Sequence, residues 1–182
     1  MKVLVVGAGP SGLAALKEMR EAGFDALACD SRTSFGGVFA LDSGVTFDGL
    51  HLTSSNVFIS FSDFPAYDVH KGVKYWSKAE YYEYLRQYVE HFDLAPHIEL
   101  QTSVERAHFD HVARTWEVTI RDLNADTTRC DTFDKLVVAS GAHSKPHIPA
   151  SLDDFAGEVR YVSLPFCSTS HSLEYSRQRR LK

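Results

Sequence analysis

The feature that most constrains this chain is its first thirty residues. Val3 to Val6 is a short apolar, mostly β-branched run ending in glycine, the pattern of a strand buried on both faces. Ser11 to Ala22 carries Leu13, Leu16 and Met19 at helical spacing and stops at Gly23, and Phe24 to Cys29 reads as a second strand. A strand, a crossover helix and a strand make a β-α-β unit, whose two strands are parallel. Between the first strand and the helix stands Gly7-Ala8-Gly9-Pro10-Ser11-Gly12, a G-x-G-x-x-G string in the context that gives it meaning. The first glycine permits a tight turn, the second lets backbone N–H groups approach a pyrophosphate, and the third lets helix and strand pack closely. The helix N-terminus then turns its unpaired N–H groups and positive dipole end toward the phosphates.

Asp30 follows the second strand, 18 positions after Gly12, near the spacing of about 20 for an acid that accepts ribose hydroxyls. A carboxylate there repels a 2′-phosphate, which favours FAD or NAD over NADP as the nucleotide held by this loop.

The rest of the chain predicts an α/β fold. Residues 31 to 73 are irregular and rich in Gly, Ser, Thr and aromatics, as suits a long functional segment. Ser77-Lys78-Ala79-Glu80 is a capping box opening a helix with Tyr81, Leu85, Tyr88 and Phe92 on one face, a stripe that reads as core. Val104 to Phe109, Thr115 to Arg121 and Arg129 to Phe133 are expected to form a small antiparallel sheet, with Asn124-Ala125-Asp126 at a turn. Lys135 to Ala139 reads as another buried parallel strand, ending at Ser140-Gly141.

Composition narrows the class. At 182 residues and 44% hydrophobic, the chain is long enough to bury a core without disulfide or metal staples. Its net charge of −5 argues against a general polyanion binder, so no nucleic-acid partner is expected. Residues 159–182 alone carry five basic residues against one acidic, a pattern that reads first as a solvated tail. Cys29, Cys130 and Cys167 are odd in number and far apart, which fits a reducing compartment and a cytoplasmic location and indicates no metal site. His143 and His147 are separated by Pro146, and no H-E-x-x-H occurs. No run approaches the roughly 18 apolar residues of a membrane span.

Beyond the glycine loop, the chain resembles the flavin-containing monooxygenases. The matching pieces are Asp30 followed by Gly36-Gly37-Val38-Phe39, Leu52 to Asn56 running into Phe61-Ser62-Asp63-Phe64-Pro65, Tyr75-Trp76-Ser77, and Val138-Ala139-Ser140-Gly141. The segment around Ser62 to Pro65 is the more specific signal. The resemblance implies a partial Rossmann-type FAD-binding domain with a parallel sheet and a small antiparallel excursion. It implies that Gly7, Gly9, Pro10, Ser11, Gly12, Asp30, Arg32, Gly36, Gly37, Val38, Thr53, Ser140 and Gly141 contact FAD, with Asn56 as the residue beside the flavin ring. Aligning on Phe61 instead puts Thr53 in that place, and Asn56 read locally is an Asx-turn residue. Enzymes of this kind use NADPH to reduce FAD, form a hydroperoxyflavin and pass one oxygen to a soft nitrogen or sulfur nucleophile, the cofactor carrying the hard chemistry.

The family pattern continues into a second glycine-rich loop for NADPH, and no such loop occurs after residue 49. The expectation is therefore a FAD domain over 1–154, an interrupted linker and basic tail over 155–182, and little turnover by these residues alone. Phe155-Ala156-Gly157-Glu158-Val159-Arg160 begins the family's F-x-G-x-x-x-H-x-x-x-(F/Y) motif, but Tyr161 and Pro165 stand at positions seven and eleven. Removing Tyr161 to Ser170 joins Arg160 to His171 and places Tyr175 at the motif's end, which reads as an insertion, an unspliced intron or a natural loop. Two other readings stay open: a non-catalytic remnant acting through self-association at an uncovered sheet edge, and an NAD-binding module, which leaves residues 62–65 without a place.

Overall fold

The computed structural model describes residues 1–47, 49–66 and 72–142. The His143/His147 pair, Cys167, the Phe155 to Tyr175 motif with its Tyr161 to Ser170 insertion, and the basic tail lie outside the described residues.

Four parallel strands form the central sheet in the order β3-β2-β1-β7. They are β1 (Lys2–Val6), β2 (Asp25–Cys29), β3 (Ile98–Glu99) and β7 (Lys135–Val138). Helix α1 (Pro10–Glu21) connects β1 to β2, opening one residue earlier than the periodicity suggests because proline suits the first helical position. A short helix α2 (Asn56–Ile59) stands in the segment that reads as irregular from sequence, and α3 (Lys78–His91) starts at the complete Ser77/Glu80 capping box. Strands β4 (Thr102–Asp110), β5 (Thr115–Asp122) and β6 (Thr127–Phe133) form the antiparallel excursion in that order.

The alternation of β1 and β2 sorts two cores onto opposite faces of the parallel sheet. Val3, Val5, Ala26 and Ala28 pack with Leu13 and Leu16 of α1 and Tyr81, Leu85, Tyr88 and Val89 of α3. Leu4, Cys29 and the partly buried Leu27 and Leu136 pack against Val118, Ile120 and Phe133 of the antiparallel sheet. The molecule is thus three-layered, and a strand covered on both faces has no reason to alternate in polarity.

Strand β7 departs from its sequence reading. It pairs with β1 from Val3↔Lys135 to Val6↔Val138, but among the described residues its other edge is unpaired, and Val138 is 70% exposed. Because the chain leaves β1 toward β2 on one side and comes back to β7 on the other, the carboxyl end of β1 lies where the strand order reverses. That is where open α/β sheets hold their ligands.

Candidate functional site: the loop between β1 and α1

The three glycines of the loop answer to different demands. Gly7 has φ +101°, donates its N–H to Cys29 O at 2.8 Å, and has Ala139 O 2.4 Å from where a Cβ would stand. A Cβ on Gly12 would lie 1.9 Å from Gly7 O. The fold itself therefore requires both. Gly9 is different: its φ is −74°, and a Cβ would meet Gly37 Cα at 3.5 Å, an ordinary contact. Nothing among the described residues forbids a methyl group at residue 9, so the fold does not itself demand glycine there and the approach to its backbone is what glycine preserves.

Helix α1 begins at this point with no side chain capping its N-terminus and no acidic residue in its first turn. The N–H groups of Ser11 and Gly12 fall in the first turn, where a helix supplies no internal acceptors, and Pro10 has no N–H to satisfy. An anion placed against Gly9 would find the donors and the positive end of the dipole together.

Asp30 is buried at the end of β2 and its first partners are in the chain itself. Oδ2 accepts from Ala8 N at 2.8 Å and Oδ1 from Arg32 N at 3.0 Å. The carboxylate so braces the glycine loop, and each oxygen keeps a further lone pair for an outside hydroxyl. The Gly36–Gly37 turn lies across the loop: Gly36 N donates to Ala8 O at 2.8 Å, and a Cβ on Gly37 would stand 3.0 Å from Gly9 Cα. Both have positive φ, +101° and +61°. Tyr82 of α3 walls Gly36, lying 3.1 Å from where a Cβ on that glycine would stand, and stacks on Phe35, a support that sequence reasoning missed because α3's stripe reads as core alone.

Side chains around this turn hold it closed. The Arg32 guanidinium donates to Ser43 O at 3.0 Å, and Val38 O accepts from Ser43 Oγ at 3.0 Å and Thr46 Oγ1 at 2.8 Å. Asp42 accepts from the hydroxyls of Ser34 and Thr33, which hold its carboxyl below the usual carboxylate range. On the other flank Ala139 N donates to Val6 O at 2.8 Å, so Ser140 and Gly141 leave β7 beside Gly7, both exposed. The fold thus gathers Gly7 to Gly12, Asp30, Arg32, Gly36 to Val38, Ser140 and Gly141 at one end of the sheet.

Asn56 and Thr53 have other neighbours. Asn56 is buried at the start of α2; its Oδ1 accepts from Lys74 N at 2.9 Å, its Nδ2 donates to Ala66 O at 3.4 Å, and its N–H donates to Lys74 O at 2.8 Å. The amide spans chain segments ten and eighteen residues away rather than forming an Asx turn. Thr53 is exposed three residues earlier. The polar contacts of Asn56 run within this segment and not to the loop at Gly9.

Comparison with known proteins gives the frame for this geometry. The family model described as "FMO-like: Flavin-binding monooxygenase-like" matches residues 1–179. A 4-hydroxybenzoate brominase (decarboxylating) of Pseudoalteromonas luteoviolacea is 39% identical over 87% of this chain and 30% of its own length. Human flavin-containing monooxygenase 1 is 31% identical over 96% of this chain and 32% of its own. The crystal structure of Tmm from Pelagibacter sp. strain HTCC7211 superposes with a TM-score of 0.70 at 25% identity, over 82% of this chain and 38% of that one. The chain therefore spans about a third of the length of these relatives.

Proposed function

The chain belongs to the flavin-binding monooxygenase-like family, and from that premise we propose that residues 1–154 are the FAD-binding part of an NADPH-dependent monooxygenase acting on soft nucleophiles. The observation that carries this reading is Gly9: the described residues leave room for a methyl group there, so packing does not demand the glycine, and its backbone stands at the uncapped start of α1. Ser11 and Gly12 N–H groups would hold the diphosphate of FAD, Asp30 a ribose hydroxyl, and Gly36, Gly37 and Val38 the wall passing beside the cofactor. Thr53 or Asn56 would face the ring, and Ser140 and Gly141 would close the near side. When bound, the flavin supplies electron transfer from NADPH and activation of dioxygen, and the protein's part is orientation and exclusion of water.

The substrate is a small molecule with a soft nitrogen or sulfur atom. A halide is a second reading, favoured by the 39% identity to a protein named as a brominase. The three cysteines with no pairing pattern support a cytoplasmic location; among the described residues no helix is long and apolar enough to cross a membrane.

The test uses the 182-residue polypeptide. It should retain FAD with its visible absorbance bands, and Gly9→Ala should lose the flavin while keeping its fold. These residues contain one glycine-rich phosphate loop, so anaerobic NADPH should not bleach the bound flavin faster than free FAD. A folded polypeptide without affinity for FAD would overturn the reading in favour of a non-catalytic protein that acts by interaction.

A further inference from the structure

We propose that the ion pair between Lys17 and Asp63 is a positioning contact that sets α1, and with it the Gly7 to Gly12 loop, in register for its dinucleotide. The inference rests on the FAD reading above and adds to it a role for the Ser62 to Pro65 segment.

Lys17 lies four residues after Leu13, on the buried face of α1, and its side chain is only 6% exposed. An ammonium on an apolar helix face has to be paired. Its partners are Glu18 at 3.1 Å, Glu21 at 2.7 Å and Asp63, and it lies 4.9 Å from the centre of the Phe92 ring. Glu18 and Glu21 belong to α1 and cannot fix α1 relative to anything else. Asp63 comes from another part of the chain, and its side chain is 30% exposed. The pair holds the Lys17 ammonium above its ordinary range and the Asp63 carboxyl below its own.

Asp63 is presented from a rigid turn. Phe64 N donates to Phe61 O at 3.2 Å, the Tyr84 hydroxyl accepts from Phe61 N at 2.7 Å, and it donates to Phe64 O at 2.8 Å. The rings of Phe61 and Phe64 pack on Tyr84 and Tyr88 with centroids 4.6 to 6.0 Å apart. The turn is thus bolted to α3, and Asp63 transfers that fixed position to α1. A helix rises about 1.5 Å per residue, so Lys17 acts about 12 Å from Gly9 along a stiff rod. An apolar pair at 17 and 63 would bury at lower desolvation cost. What charge adds is direction, since only an ammonium aimed at that carboxylate is satisfied.

The experiment compares Asp63→Asn, Lys17→Met and Lys17→Arg with Glu21→Gln, which removes a lysine partner lying within α1. FAD affinity is read by flavin fluorescence, stability by urea denaturation, and local order by amide exchange at Leu13 to Leu16 and across α3. Asp63→Asn and Lys17→Met should each weaken FAD binding about tenfold and speed exchange at Leu13 to Leu16 while α3 stays protected. Lys17→Arg and Glu21→Gln should do neither. A lowered urea midpoint with unchanged FAD affinity and uniformly faster exchange in α1 and α3 would overturn the proposal and leave a merely stabilising pair. If the unmodified chain binds no FAD, the flavin reading falls by itself. The positioning contact is then decided by whether the exchange change in Asp63→Asn is local to α1 or uniform.

Discussion

Gly9 and Gly12 separate what a glycine does for the fold from what it does for a ligand. Gly9→Ala should cost no more than about 1 kcal/mol, the scale of replacing a glycine at a helix N-cap, and thermal melts should show it folded. Gly12→Ala forces a Cβ to within 1.9 Å of Gly7 O, so β1 and α1 must separate, and a loss above about 3 kcal/mol is expected. Equal losses in the two variants would remove the distinction. Cys29 gives a second test at this scale. Burial, and then the nearby Glu99 carboxylate, push its thiol up to about 12. The folded state therefore prefers the protonated thiol, and that preference is fully present below the unfolded thiol's range of about 8.5. Stability should fall as pH rises from there toward 12. Cys29→Ala should remove that part of the slope, and at pH 8 a thiol reagent should label the exposed Cys130 and leave Cys29 untouched.

Helix α3 braces two separate turns, since Tyr82 supports Gly36 and Tyr84 holds the Phe61 to Phe64 turn. Its start is fixed by reciprocal bonds: Ser77 Oγ accepts from Glu80 N, and the Glu80 carboxylate accepts from Ser77 N at 2.8 Å. Ser77→Ala should cost about 1 kcal/mol, read as a lower urea midpoint and faster amide exchange in the first turn of α3. These bonds, Ser77 N–H first and its hydroxyl next, hold the Glu80 carboxyl below its usual range. The stabilisation is present above the unfolded carboxyl's range of about 4.3 and is lost as pH falls through the depressed folded value. A Ser77→Ala penalty that stays constant from pH 7 to pH 3 would contradict this assignment.

For the whole molecule, the edge of β7 that has no strand partner among the described residues is the feature that invites association. A strand edge unpaired among the described residues, with Val138 70% exposed, is a template for another strand. Sedimentation of the 182-residue chain should show concentration-dependent association, and Val138→Lys should return it toward monomer by placing a charge on that edge. Association that Val138→Lys leaves unchanged would place the contact elsewhere. The three-layer arrangement explains why this edge matters: both faces of the parallel sheet are already covered by α1 with α3 and by β4 to β6.

Local chemistry made much of this legible in advance. The parallel β1-α1-β2 unit, the capping box of α3 and the three antiparallel strands follow from side-chain periodicity and turn residues, which act within a few positions of each other. The loop glycines were readable as a group for the same reason. What only the tertiary structure decided is how residues distant in the chain divide the work. The helical spacing of Leu13, Leu16 and Met19 marked the apolar face of α1, but that Lys17 is buried on that face and pairs with Asp63, 46 positions on, was not legible. Asn56 was legible as a polar side chain in an irregular segment, and only the fold placed Lys74 and Ala66 around it. An uncovered sheet edge was expected from the sequence, but that β7 carries it among the described residues was not, because an apolar strand reads the same in sequence whether it lies inside a sheet or at its edge. Periodicity reports which faces are buried; the pairing of an edge and the partner of a charge depend on contacts between segments that no local pattern encodes.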